Sequence, residues 1–264
     1  MRISGFTFVR NAVSTTELLR SIGDPKIKII ETVWDTSQFV HGASNAQQTN
    51  VALKACSGDW CFYVQADEVV HEDDLEPLVQ RMQTYRDDPR VEGLLFEYLH
   101  FFADYGLYQF NHSWYRREVR IVRNGLDIRS WKSAQGFRRH TRKIHVVPAG
   151  ARIFHYGWVR PPRQMTRKTH AFKTLHAGPD AADAEFRDRD AVFDFGQLHG
   201  VRPFRGTHPA VMRERIATKD WTVKPGPFSG LDHDRAAQRA LSWIENRVLG
   251  FRVGEHRNYV LLPP

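Results

Sequence analysis

The sequence has few cysteines and no long apolar run. Its two cysteines, Cys56 and Cys61, cannot build a disulfide framework, and their spacing matches no zinc-binding pattern, so we expect two reduced thiols in or beside the core. No apolar stretch approaches the roughly 20 residues that a membrane-spanning helix needs. Residues 1–10 resemble a strand and lack the long apolar region and cleavage site of a signal peptide. We therefore expect a soluble, cytoplasmic protein.

The composition is that of a globular protein with a surplus of positive charge. Hydrophobic residues make up 41% and charged residues 26% of the 264 residues, which excludes collagen-like and wholly disordered chains. Lys and Arg number 38 against 30 Asp and Glu, and the formal charge of +8 favours anionic partners. No specific nucleic acid is expected, because no RNA-binding, zipper or zinc-finger pattern accompanies the charge. A basic nucleic-acid binder, with steeply salt-dependent binding, is our third hypothesis.

Strands and helices alternate in the first half of the chain. Apolar or alternating runs predict strands at residues 2–9, 26–31, 60–64, 91–102, 115–123 and 151–156. Capping residues and helical spacing predict helices at 14–22, at 44–56, from 73 or 74 onward, and at 233–249. This pattern predicts an α/β fold with a Rossmann-like, mostly parallel sheet flanked by helices. We expect one domain at 1–160 and an irregular or helical C-terminal extension at 161–264.

A polar segment follows the most apolar predicted strand. Residues 60–64 have the pattern of a strand buried on both faces, and Gln65-Ala-Asp67-Glu68 comes directly after it. Ligands of open α/β sheets bind beyond the carboxyl ends of the strands. Alternation along an extended backbone points Gln65 and Asp67 to one side and Glu68 to the other. Clustered oxygens at this edge suit Mg²⁺ or Mn²⁺; the alternative is an ordinary acidic turn that caps the next helix.

Three segments, in order, resemble glycosyltransferase family 2. They are Phe8-Val-Arg10-Asn11, then Asn45-Ala-Gln-Gln-Thr-Asn50-Val-Ala-Leu, then Gly58-Asp-Trp-Cys-Phe-Tyr-Val-Gln-Ala-Asp67-Glu68-Val. Residues 115–123 and 152–158 continue the resemblance more weakly. The chain is similar to a branch of the family that carries Gln-Ala-Asp-Glu in place of the usual Asp-x-Asp motif. The resemblance implies a GT-A-like fold, a UDP- or GDP-linked sugar donor, Mn²⁺ or Mg²⁺ as cofactor, and inversion at the sugar carbon.

The resemblance also assigns roles around the cation. Asp67 would bind the metal and the diphosphate. Gln65 stands where the first Asp of the motif often stands, so it would weaken the metal site or contact the ribose or sugar instead. Glu68 would touch the metal or accept a hydrogen bond from a sugar hydroxyl. His155 resembles the late histidine that completes the metal site; the alternative is a histidine satisfied in the core or a turn.

Further residues would bind the nucleotide part of the donor. Arg10 and Asn11, after the first strand, would line the nucleotide pocket, and Gln48 and Asn50 would approach it from the next helix. Lys168 and Arg160 would clamp the pyrophosphate; the alternative for each is an ordinary surface cation.

An inverting transfer needs a carboxylate near the acceptor hydroxyl. Asp104 and Asp127 are the acidic residues in loops of the region where this family tends to carry the base, whereas Glu97 and Glu118 lie within predicted strands. We prefer Asp127, because it follows Arg120-Ile-Val-Arg123, where the acceptor side should begin. All four carboxylates have a structural alternative.

The chain departs from the family near its start. Asn11-Ala-Val13 passes directly to Ser14-Thr-Thr-Glu17, so a helix and a strand that family members carry between Val13 and Ser14, roughly 30 residues, are missing. The leading hypothesis is a transferase whose residues 1–160 bind the donor and whose extension packs on the same domain and provides the acceptor side. The acceptor would be a glycan or lipid-linked, with peripheral membrane contact. The alternative is a catalytically degenerate nucleotide- or sugar-binding protein on the same fold.

Overall fold

The computed structural model describes residues 1–7, 13–34, 42–187, 192–226, 235–254 and 257–263. Within these ranges, the strands are β1 (Ile3–Phe6), β2 (Trp60–Tyr63), β3 (Glu68–Val70), β4 (Gly93–Phe102), β5 (Asp104–Gln109), β6 (Arg117–Arg123), β7 (Ile128–Ser130), β8 (Phe137–Arg139), β9 (Arg142–Trp158), β10 (Val201–Pro203) and β11 (Tyr259–Leu261). They form one sheet in the order β1-β2-β6-β4-β9-β8-β7. β3 and β11 also pair with β9, β5 pairs with β4, and β10 pairs with β5.

The helices flank this sheet. In the described residues they are α1 (Val13–Ile22), α2 (Ala43–Lys54), α3 (Glu72–Thr84), α4 (Pro162–Ala177), α5 (Pro179–Phe186), α6 (Arg213–Ala217) and α7 (Ala236–Ile244). A π-helical turn, Glu245–Leu249, continues α7. The predicted cap of α3, Asp73 or Asp74, is wrong: His71 caps the helix two or three residues earlier, by accepting a hydrogen bond from Asp73 N at 3.2 Å.

β2 is buried on both faces, as its apolar run predicts. Cys61 and Tyr63 pack on the side of the sheet that α2 covers through Leu53. Trp60 points to the other side, where it belongs to the same apolar cluster as Leu78 of α3. Alternate residues of one strand therefore contribute to two cores, and the polar segment that follows β2 emerges at the edge of a rigid strand.

The α/β class is confirmed, and the sheet is mixed. β1–β2, β4–β9 and β9–β11 are parallel pairs, whereas the other pairs are antiparallel. Short connections explain three of the antiparallel pairs, β4–β5, β7–β8 and β8–β9: only two residues join β8 to β9, and a parallel crossover needs a dozen or more. The predicted strand at 151–156 is the end of β9, which begins at Arg142.

The strand predicted at 26–31 is wrong. These residues form no strand and are largely exposed. The reason is the lack of a partner: β1 lies at the edge of the sheet, and no described strand extends the sheet beyond it. An isolated extended segment cannot form the ladder hydrogen bonds that define a strand. Residues 8–9 of the first predicted strand lie outside the described residues.

The C-terminal part joins the same sheet as the first half. β10 pairs with β5, and β11 pairs with β9 beside Ile144 and Val146. The predicted last helix is confirmed over α7 and the π-helical turn that follows it. Among the described residues, no helix is long and apolar enough to cross a membrane.

Candidate functional site

A cavity of about 970 Å³ opens beside the segment that follows β2. The side chains that line it and carry charge are Asp67, Arg117, Glu118, Arg120, Arg160, Lys168 and Arg252. Its other polar lining includes Asn45, Gln65, His112, Tyr115, Ser133, Gln135 and Asn258. Because cations outnumber carboxylates, the lining suits a ligand with several negative charges.

Asp67 meets two basic side chains at the cavity wall. Lys168 of α4 donates to Asp67 Oδ2 at 2.9 Å and to Gly157 O at 2.8 Å, and His155 Nε2 lies 3.8 Å from Asp67 Oδ1. Burial acts to raise the pKa of Asp67, but the positive charges of Lys168 and of His155, once protonated in acid, hold it well below its usual value. The structure thus brings together three predicted site residues, with Asp67 ionised at neutral pH.

His100 determines which nitrogen of His155 carries the proton. The two histidines are neighbours in the β4–β9 pair, and their Nδ1 atoms lie 3.0 Å apart. His100 Nε2 lies 2.8 Å from Tyr115 O, which only accepts, so His100 carries its proton on Nε2 and accepts through Nδ1. Burial lowers the pKa of both rings and keeps them neutral. His155 therefore donates from Nδ1 and presents a lone pair on Nε2 toward Asp67.

Beside Gly157, Asp67 and His155 are the residues that could hold a small divalent cation, and the Lys168 ammonium already occupies Asp67 Oδ2. A Cβ at Gly157 would lie 2.6 Å from His155 Nε2, 2.7 Å from Asp67 Oδ2 and 2.8 Å from Lys168 Nζ, so the glycine leaves space among these groups. A carboxylate oxygen and an unprotonated imidazole nitrogen are ligands that Mn²⁺ accepts. In the described part of the chain, no three His, Cys, Asp or Glu side chains are arranged to hold a metal ion together. A cation here would take two protein ligands and leave its other positions to substrate oxygens, the usual arrangement for a phosphate-bound Mg²⁺.

Glu68 does not line the cavity. It is buried, and Arg120 binds both of its oxygens, through Nη2 to Oε1 at 2.8 Å and Nε to Oε2 at 3.0 Å. Tyr98 donates to Oε1 at 2.8 Å, and Gln65 N donates to Oε2 at 3.1 Å. Glu68 thus fixes the turn that carries Asp67, and its oxygens already have partners other than a metal or a sugar. Gln65 does line the cavity, and its amide donates to the Tyr63 hydroxyl at 3.2 Å.

The predicted nucleotide residues of α2 bind protein groups. Gln48 accepts a hydrogen bond from Thr32 at 2.6 Å, and Asn50 Oδ1 accepts one from Ser130 N at 2.7 Å, so both hold α2 against neighbouring segments and neither lines the cavity. Asn45, one turn earlier, does line it. Arg10 and Asn11 lie outside the described residues.

The two base candidates expected in loops, Asp104 and Asp127, do not line the cavity, and Asp104 is the first residue of β5 rather than part of a loop. Asp104 pairs with Lys219 at 2.9 Å, and exposed Asp127 pairs with Arg129 at 2.9 Å. Glu118, on β6, lines the cavity, and burial raises the pKa of its carboxyl although Arg120 opposes this. From the sequence, Glu118 is a less favoured base candidate than Asp127, because it lies within a predicted strand, where most side chains pack in the core. The charged residues on either side of it in sequence, Arg117 and Arg120, were the signal that this part of the strand borders a polar site.

Comparison with known proteins agrees with this geometry. The sequence model of glycosyl transferase family 2 matches residues 15–145, about half of the chain, including α2, β2 and the segment that carries Asp67. No curated protein matches the chain. The mixed α/β sheet flanked by helices is consistent with the GT-A-like fold of the family. The chain therefore belongs to glycosyltransferase family 2, a family of sugar-transferring enzymes.

Proposed function

We propose that this protein transfers a sugar, with inversion, from a UDP- or GDP-linked donor to a hydroxyl of a glycan or lipid-linked acceptor. The observation that carries the proposal is that Asp67, on the wall of a large basic cavity, is bound by Lys168 and lies 3.8 Å from His155 Nε2. Residues 1–160 would bind the donor together with Lys168 of the extension, and the rest of the extension, including Arg252, would complete the acceptor side. The cytoplasm remains the compartment we propose.

The charged residues of the cavity would have different roles in the transfer. Lys168 and Arg160 would neutralise the diphosphate as it leaves the sugar carbon. Mn²⁺ or Mg²⁺, held by Asp67 and His155, would supply further charge neutralisation at that leaving group. Glu118 would take the proton of the acceptor hydroxyl as the new carbon–oxygen bond forms. Its raised pKa makes it a stronger base than an exposed carboxylate.

One observation favours the second candidate, a protein that binds nucleotide without turning it over. No described residue before Asn45 lines the cavity, β1 is the edge of the sheet, and residues 26–31 form no strand. A donor bound here would therefore find fewer contacts for its base than a sheet extended beyond β1 would offer.

Calorimetric titration of UDP and GDP, with and without Mn²⁺, tests donor binding. We expect one nucleotide to bind in a cation-dependent way, and Asp67→Asn to abolish that dependence. Asp127→Asn is the matched control, because it removes an exposed carboxylate off the cavity wall and should leave binding unchanged. Equal binding by wild type and Asp67→Asn, with circular dichroism confirming the fold, would overturn the assignment of Asp67.

A further inference from the structure

The helix α7 and the turn after it face the protein with polar side chains and solvent with apolar ones. Ser242 and Glu245 are 6% and 2% exposed, whereas Trp243, Val248 and Phe251 are 61%, 65% and 61% exposed. An ordinary surface helix has the opposite arrangement. We call the exposed apolar set, Trp243, Ile244, Val248, Leu249 and Phe251, the C-terminal apolar face.

Hydrogen bonds hold this segment in its orientation. His112 N donates to Ser242 Oγ at 2.8 Å, and His112 Nδ1 lies 2.8 Å from Glu245 Oε1. Arg116 donates to Asn246 Oδ1 at 2.9 Å, and Val253 N donates to Glu245 Oε1 at 2.8 Å. The apolar side chains are therefore not needed to attach the helix, and so many together on a surface indicate a binding face.

A basic cleft of about 920 Å³ lies beside the C-terminal apolar face. It is lined by Arg202, Arg239 and Arg247 together with Trp243, and no carboxylate of the described residues lines it. Arg202 is held in place by Phe110, since its guanidinium carbon lies 3.3 Å from the centre of that ring. The cleft thus presents several positive charges next to exposed apolar side chains.

We propose that this face docks on a bilayer that contains anionic lipids. The apolar side chains would enter the headgroup and acyl boundary, where tryptophan is favoured, and the arginines would bind lipid phosphates. A free phosphate would leave the apolar face uncovered. A second copy of the chain would bring the same arginines against each other, which charge repulsion opposes. A bilayer with anionic lipids can contact both the apolar side chains and the arginines of the cleft.

Docking would place the cavity at the membrane surface. His112 both lines the cavity and bonds the inner side of α7, so one residue separates the site from the docking helix. This geometry suits an acceptor carried by a lipid. The docking itself does not rest on the transferase proposal, because it can be measured without any sugar donor.

Co-sedimentation with lipid vesicles tests the proposal. We expect the full chain to bind vesicles of phosphatidylcholine and phosphatidylglycerol, to bind phosphatidylcholine alone much more weakly, and to dissociate as salt rises. Arg239→Gln with Arg247→Gln should weaken binding about 25-fold, since each arginine near an anionic surface contributes about fivefold. Val248→Asp with Phe251→Asp should also remove most of the binding.

Matched controls lie on another element. Val211→Asp changes an apolar residue that is 76% exposed, and Arg213→Gln with Arg215→Gln removes the same charge from exposed positions; both should bind vesicles like wild type. Circular dichroism checks that each variant is folded. Absent or equal binding to the two vesicle types would overturn the proposal, as would controls that lose as much binding. A dimer that Val248→Asp dissociates, without vesicle binding, would assign the face to a second copy instead.

Discussion

Buried His100 does not line the cavity, yet it controls the protonation of His155, which faces Asp67. It accepts a hydrogen bond from His155 Nδ1 and donates one from Nε2 to Tyr115 O, so that His155 Nε2 is unprotonated beside Asp67. A second histidine that fixes the tautomer of a metal-binding histidine raises metal affinity by an amount comparable to other outer contacts, about tenfold or more. His100 is thus a positioning residue.

Substitution of His100 separates this role from simple packing. His100→Phe removes the acceptor for His155 Nδ1, and we expect Mn²⁺ affinity to fall about tenfold. His100→Asn keeps an oxygen near the position of Nδ1 and should restore much of the affinity. Calorimetry measures the affinity, and nitrogen-15 NMR of the imidazole rings should show His155 protonated on Nδ1 in wild type but not uniquely so in His100→Phe. An unchanged tautomer in His100→Phe would remove the positioning role.

The location of a single residue can be predicted where the local sequence pattern fixes it. Asp67 follows a buried strand, and Lys168 and His155 matched a family resemblance, and the structure brings the three together. The pairing of His100 with His155 depends on the register of two strands about 50 residues apart in sequence, for which the chain carries no local signal. Glu118 was not preferred for a similar reason. Alternate residues of a strand lie on the same face of the sheet, and the sequence does not show which face borders the cavity.

Among the elements, β3 and β6 are joined by a buried ion pair. Arg120 of β6 binds Glu68 of β3, and its guanidinium carbon lies 5.1 Å from the ring centres of both Tyr63 and Tyr98. Both charged side chains are almost fully buried. Because Asp67 immediately precedes Glu68, this pair also sets the position of the site.

Removal of one partner should be costly. Arg120→Met would leave the Glu68 carboxylate buried without its cation, and we expect the free energy of unfolding to fall by about 3–5 kcal/mol. Arg129→Met breaks an exposed pair with Asp127 and should cost less than about 1 kcal/mol. Urea denaturation followed by circular dichroism compares the two. Similar losses in both variants would mean that the buried pair contributes no more than a surface one.

Helices and strands were predicted correctly where the apolar pattern of a segment matches a packing partner in the fold. β2 formed as predicted, and α2 and α3 formed within a few residues of their predicted bounds, because each packs apolar side chains on the sheet. Residues 26–31 have the composition of a strand but no strand beside them, since β1 ends the sheet. Propensity describes what a segment would do beside a partner, and the sequence does not show whether the partner exists.

On the scale of the whole molecule, the C-terminal part connects the sheet, the cavity and the apolar face. β10 and β11 extend the sheet, Lys168 and Arg252 line the cavity, and α7 carries the C-terminal apolar face. The sequence predicted an extension that packs on the first domain but could not show that its strands join the same sheet. Strands of three residues carry too little pattern to be recognised from sequence alone.

The central claim is that this cavity carries out sugar transfer, and turnover of the donor tests it most directly. The measurement is release of nucleoside diphosphate from UDP- and GDP-hexoses with Mn²⁺, with water in place of the acceptor. We expect slow release by wild type and a rate at least about 100-fold lower in Glu118→Gln, with nucleotide affinity unchanged in calorimetry. Nucleotide binding with no release from any donor, or full activity in Glu118→Gln, would contradict the account.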